Sequence, residues 1–191
     1  MRQSPAEIDH AILDVAAGLF ATHGYAHTSV QQIADAVGYS KPGLLHRFGS
    51  KDALHRAALA EVTETVQAII GHAATHGDDP DQVHQVLELI TRKALERPGM
   101  VQMMLAAFEP GNEEPGKSEI QSAGRRLVEL LDQPHTGPAD RLRVVLATRM
   151  IATAAMAQSS PASTSLHVDP DELVPLLVDL AAQVMGAPSR P

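Results

Sequence analysis

The sequence predicts an all-α protein of about nine helices, and three observations carry that prediction. A helix-start signature recurs at Ser4-Pro5-Ala6-Glu7, Asp79-Pro80-Asp81-Gln82 and Asp169-Pro170-Asp171-Glu172, each joining a capping side chain, a first-turn proline and an acid or amide at the third helical position. Apolar residues recur at helical spacing along most of the chain. Strand signals are nearly missing, because aromatic content is 3% and no alternating run of β-branched residues occurs.

After Ser4, the residues Ile8, Ile12, Val15 and Leu19 mark one apolar face of a first helix that stops at Gly24. A second, short helix starts at Thr28 or Ser29, with Gln31 three residues after Thr28 in capping-box spacing, and places Val30, Ile33, Ala34 and Val37 on one side. Gly38 allows a sharp turn. Ser40 can cap a third helix whose Pro42 sits in the first turn, where backbone N–H groups have no helical partner. Two short helices around a glycine turn form the pattern of a helix-turn-helix DNA reader, with the first turn of the second helix aimed at DNA. Ser50 caps the next helix, which carries Leu54, Ala58 and Val62 to about residue 71 and links reader to body.

Stretches rich in Gly, Pro, Ser and acids at 77–80, 109–116, 133–138 and 159–168 then divide body helices near 80–96, 98–108, 117–132, 138–158 and 170–186. Pro175 falls inside the last pattern, so that helix is either kinked there or begins later than its cap suggests. The division expected is a DNA-binding domain at 1–50, a linker helix at about 50–71, and a larger helical domain at 72–191.

The chain has 191 residues, 44% of them hydrophobic, which suffices for a real core. It has no cysteine, fitting a reducing cytoplasm and excluding disulfides and Cys-based zinc sites. No secretory or membrane-spanning segment is visible, so a cytoplasmic location without a membrane partner is expected. The net charge of −8 arises wholly after residue 60: before it, the bases Arg2, Lys41, Arg47, Lys51 and Arg56 balance an equal number of acids. Four of those bases fall between 41 and 56, a local patch able to grip phosphates on an otherwise acidic molecule.

No cofactor is expected, and nothing supplies a nucleophile with a placed base. There is no cysteine, no Gly-x-Ser-x-Gly elbow, no phosphate loop and no metal constellation, so an enzyme reading lacks support. His72 and His76 share metal-ligand spacing but lack a third ligand and read as solvated histidines near a helix end, and Arg125-Arg126 reads as a solvated helix face in preference to an anion site. Met100, Met103, Met104 and Phe108 recur at helical spacing, with Met150 and Met156 on a later helix. They can line an adaptable apolar cavity for a ligand, and plain helix packing explains them equally.

With these pieces in order, the first 60 or so residues closely resemble the TetR (tetracycline repressor) family of bacterial transcription regulators. The resemblance rests on Ile8 to Phe20, Gly24-Tyr25, Thr28 to Gly38, and the run from Ser40 through Phe48 to Leu54, about a third of the chain. It implies that Thr28 and Ser29 meet phosphate at a helix N-terminus, that Ser40, Lys41 and Pro42 sit at the groove, that Gly43 permits close approach, and that Lys51 holds backbone. Gln31 stands where the family often has a basic residue, and Leu45-His46 replaces a frequent tyrosine, so base specificity is not transferable. His46 and Arg47 become the positions to watch.

The resemblance further implies a ligand-binding and dimerisation role for 72–191. The apolar faces of Leu142, Val145, Leu146, Met150 and Thr153, and of Leu173, Leu176, Leu177, Leu180 and Val184, suit a four-helix homodimer interface. The function implied is a repressor that binds a palindromic double-stranded DNA operator as a homodimer and is released by a small lipophilic effector. A ligand- or partner-binding dimer without DNA affinity is the rival, suggested by Gln31 and the sparse basic residues; a small helical enzyme is the other.

Overall fold

A computed structural model describes residues 4–75, 81–109, 115–131, 137–159 and 168–187. Every regular element among them is a helix: α1 (Pro5–His23), α2 (Val30–Val37), α3 (Lys41–Phe48), α4 (Lys51–Thr75), α5 (Gln82–Glu96), α6 (Pro98–Ala106), α7 (Lys117–Leu131), α8 (Pro138–Ser159) and α9 (Pro170–Met185).

The start signals operate largely as their chemistry requires. At α1, Ser4 Oγ accepts from Glu7 N at 3.2 Å while Glu7 Oε2 accepts from Ser4 N at 2.6 Å, a complete capping box. Asp79 and Pro80 lie outside the described residues, and α5 begins behind Asp81, which makes no side-chain cap bond. The cap of α2 is Ser29, closed by Gln32, so the capping-box pairing of Thr28 with Gln31 is corrected by one residue. The reason is burial: Thr28 is 1% exposed and its hydroxyl donates to Gly24 O at 2.9 Å, which leaves the next hydroxyl to serve as cap. Helix α9 runs from Pro170 straight through Pro175, which removes the reading that it begins later. Helix α6 stops at Ala106, and the tighter bonds Phe108 N to Leu105 O and Glu109 N to Ala106 O close its end.

The chain forms two compact units. One consists of the described residues of Met1–Glu64 and Gly99–Gln121. Its core gathers Ile12, Ala16 and Phe20 from α1, Ile33 and Ala34 from α2, Leu44 from α3, Leu54, Ala58 and Val62 from α4, with Met100, Met103 and Ile120. Helix α6 thus shares a core with the reader helices. Gly99 brings it there: Met100 N donates to Asp14 Oδ1 at 2.9 Å, and a Cβ on Gly99 would lie 1.9 Å from Asp14 O. Only a residue without a side chain permits this approach.

The other unit consists of the described residues of Thr65–Pro98 and Ser122–Pro191, in which α5, α8 and α9 pack on one another. The buried residues of these helices include Val86, Leu87 and Ile90 of α5, Val144, Ala147 and Ile151 of α8, and Leu173, Val174, Leu177 and Val178 of α9. Leu173 and Leu177, placed on a dimer face by sequence spacing, are therefore core residues; each is at most 7% exposed.

Candidate nucleic-acid interface

The helix-turn-helix is built from α2, a left-handed Gly38 (φ 72°) and α3. Gly38 ends α2 in a double cap: Tyr39 N donates to Ala34 O at 2.8 Å, which reverses the chain in a fixed geometry. Ser40 then caps α3 by accepting from Gly43 N at 3.1 Å. Leu44, 1% exposed, anchors α3 to the core. Helical spacing consequently leaves Lys41 and Pro42, and His46 one turn on, at the exposed side of α3.

The expected DNA contacts distribute unevenly over this surface. Ser29, Gln31, Ser40, Lys41, Pro42 and His46 are exposed, and Gly43 is half-buried. Thr28 is not at the surface; its hydroxyl points inward to the end of α1. Gln31 donates to Asp35 Oδ1 at 2.7 Å across one turn of α2. Arg47 is turned back against α1: its Nε pairs with the Asp9 carboxylate, and Nη2 donates to Pro5 O at 2.6 Å. The hydrogen bond and charge of Asp9 raise the Arg47 pKa above its ordinary value, so the guanidinium is fully charged but already matched.

Lys51, half-buried at the start of α4, holds its ammonium 4.3 Å from the centroid of the Tyr25 ring. Tyr25 in turn donates its hydroxyl to Asp52, and its ring meets His55 edge-on at 4.8 Å. His55 also stands edge-on to Phe20. This cluster ties the end of α1 to the start of α4 and fixes the base of the Lys51 side chain. Asp9 and Tyr25 were not legible as site residues, since each acts through a partner far away in sequence.

The residues expected to line a ligand cavity do not share one setting. Met100 and Met103 are each 6% exposed, inside the core of the reader unit, with Met104 packed beside them. Phe108 lies beyond the end of α6 and is 40% exposed. Met103 borders a cavity of about 20 Å³ in that unit, lined also by Phe20, His55, Leu59, Lys117 and Ile120. That space suits about one water molecule and falls far below the roughly 300–1,000 Å³ of drug-sized sites. Met150 and Met156 sit half-buried on α8, in the other unit, and do not line this cavity. His72 is on α4, whereas His76 lies outside the described residues. Among the described residues, no group of three or more potential metal ligands gathers, and no helix is long and apolar enough to cross a membrane.

Comparison with known proteins converges on this domain. Residues 12–58 match the family described as bacterial regulatory proteins, tetR family. Over 58 residues the chain is 40% identical to the HTH-type transcriptional repressor Rv1474c of Mycobacterium tuberculosis, a match covering 30% of this chain and 31% of that relative. The match thus spans about a third of the relative's own length. Whole-chain similarity is one of fold. A TetR-like transcriptional regulator from Rhodococcus sp. RHA1 superposes with a TM-score of 0.62 at 21% identity, over 98% of this chain and 100% of that one. The ketosteroid transcriptional regulator KstR2 of Mycobacterium tuberculosis does so with 0.61 at 18% identity, over 99% and 98%.

Proposed function

From the match of residues 12–58 to the tetR family of bacterial regulatory proteins, we propose that the chain is a cytoplasmic, ligand-responsive repressor acting as a homodimer on a palindromic operator. In this reading residues 1–50 read DNA and 72–191 hold the effector and the dimer contact. The exposed first turn of α3 carries the proposal: Ser40, Lys41 and Pro42 stand at a capped helix N-terminus held rigidly by Gly38 and Leu44. Such a terminus enters the major groove, with Lys41 and Ser40 at its floor or wall and Ser29, at the start of α2, at the phosphates.

The dimer contact is supported by apolar side chains left exposed on two helices that pack side by side. On α8 these are Leu142 (58% exposed), Val145 (38%) and Leu146 (52%); on α9 they are Leu176 (52%), Leu180 (40%) and Val184 (37%). A second copy of this face would bury them in a four-helix arrangement.

An effector held among 72–191 releases the operator by favouring a conformation in which the readers no longer match the groove repeat. A coupling of roughly 1 to 3 kcal/mol lowers DNA affinity about 5- to 150-fold. The apolar, polarisable side chains of Met103, Met104 and Phe108 favour a lipophilic effector.

The test is selection of bound duplexes from random-sequence DNA, followed by competition with lipophilic compounds. An enriched palindrome is expected. A folded protein that enriches nothing at low salt sinks the DNA reading and leaves the ligand-binding dimer.

A further inference from the structure

Between α2 and α3 stands Tyr39, which is neither a cap nor part of the buried core and lies within electrostatic reach of the Arg47 guanidinium. Its backbone is held from both sides. Tyr39 N is bonded to Ala34 O at 2.8 Å, and the next residue, Ser40, is the cap of α3. The phenol therefore hangs from a rigid point, and placing it on a ligand costs little backbone entropy.

At this position a large residue commonly folds inward onto the fourth residue of the following helix, here Leu44. Tyr39 nonetheless keeps 37% of its surface exposed, whereas Leu44 is 1% exposed. Its ring flanks the bare backbone of the first turn of α3: Cδ1 lies 3.9 Å from the point where a Gly43 Cβ would sit, and Ser40 Oγ lies 3.0 Å from the same point. An exposed aromatic ring, a hydroxyl and a glycine thus stand together at the first turn of α3, which also carries the exposed Lys41. The phenol makes no hydrogen bond with the other described residues. A neutral ring with one hydroxyl donor matches a deoxyribose and its phosphate.

The geometry points to Tyr39 as a further DNA-contacting residue of this reader, its hydroxyl donating to a phosphate oxygen beside the groove and its ring resting on the adjoining deoxyribose. The inference rests on the DNA-reading function proposed above. Because phosphate contacts position the protein without reading sequence, Tyr39 strengthens binding to all duplexes alike.

The experiment measures affinity of the wild type, Tyr39→Phe, Tyr39→Ala and Lys41→Ala for the selected duplex and for an unrelated one across a salt series. Tyr39→Phe is expected to weaken both by about three- to tenfold, the worth of one hydrogen bond, with the salt slope unchanged because no charge is lost. Lys41→Ala instead flattens the slope. Nitration by tetranitromethane supplies a readout independent of variants. Tyr39 is modified in free protein and protected by the selected duplex, with Tyr25, whose hydroxyl is bonded to Asp52, as internal reference. Wild-type affinity in both tyrosine variants, or equal nitration of Tyr39 with and without DNA, overturns the inference. Loss in Tyr39→Ala with none in Tyr39→Phe overturns the hydroxyl assignment. A wild type that binds no duplex overturns the DNA reading and this contact with it, and is recognised because the wild type itself fails.

Discussion

Gly99→Ala should destabilise the protein although alanine favours helices, and the packing of α6 on α1 sets the size of the loss. Replacing a helical glycine by alanine ordinarily gains up to about 1 kcal/mol. At Gly99 the added carbon would sit 1.9 Å from Asp14 O, 2.8 Å from Asp14 C and 3.1 Å from Asp14 Oδ1. Two of those atoms are backbone in the middle of α1, whose neighbours Leu13, Ala16 and Ala17 are buried, so α1 cannot yield. Helix α6 must instead retreat by about 1.5 Å to reach ordinary contact. That movement breaks the bond from Met100 N to Asp14 Oδ1, a hydrogen bond to a charged acceptor worth about 1.5–3 kcal/mol, and loosens the burial of Met100 and Met103. With overpacking at about 1–3 kcal/mol and the propensity gain in opposition, a net loss of about 2–4 kcal/mol is expected. Gly71→Ala is the internal control. It lies in α4 with nothing within 4 Å of its Cβ position, so it should stabilise by about 0.5–1 kcal/mol. Urea unfolding followed by far-ultraviolet circular dichroism reads both. An unchanged or higher midpoint for Gly99→Ala would refute the close approach of α6 to α1.

Other outcomes follow from the same geometry. Lys41→Ala should weaken binding to all duplexes and lower the salt slope by about one unit, whereas Arg47→Ala should leave the slope near wild type because Asp9 already matches that charge; equal slope changes in titrations over salt would contradict this. Glu7 titrates below its ordinary 4.5 because Ser4 N and Oγ bond to it. Its charge thus adds stability above that value, and the addition is lost as pH falls through the lower folded-state pKa. Wild type should exceed Glu7→Gln in thermal midpoint near neutral pH and converge with it in acid; a gap that widens in acid would reverse the sign. Leu146→Glu combined with Leu176→Glu should yield folded monomers in sedimentation experiments, and a persistent dimer would place the contact elsewhere.

What the sequence determined by itself is local: caps, periodicity and turn glycines. The Ser4–Glu7 box, the Ser40 cap, the left-handed Gly38 and the all-helical architecture each depend on residues within about four positions of one another, and such short-range chemistry is legible in order along a chain. The reader was recognisable for the same reason, since its motif lies within one stretch that matches over 12–58. Even here a local rule could slip by one residue. Thr28 and Ser29 are both hydroxyl caps by type, and only the burial of Thr28 against Leu19 and Gly24 decided between them.

The tertiary structure alone decided which chemically suitable side chains remain available. Arg47 is spent on Asp9 across 38 positions, Lys51 rests on Tyr25, and Asp14 reaches the start of α6 across 86. The apolar stripe of α9 divides in the same way: Leu173 and Leu177 turn into the core, while Leu176 and Leu180 stay exposed. Helical periodicity identifies an apolar face but not its neighbour, because what covers a residue is fixed by how distant helices pack, and that contact leaves no mark at any fixed spacing in the sequence.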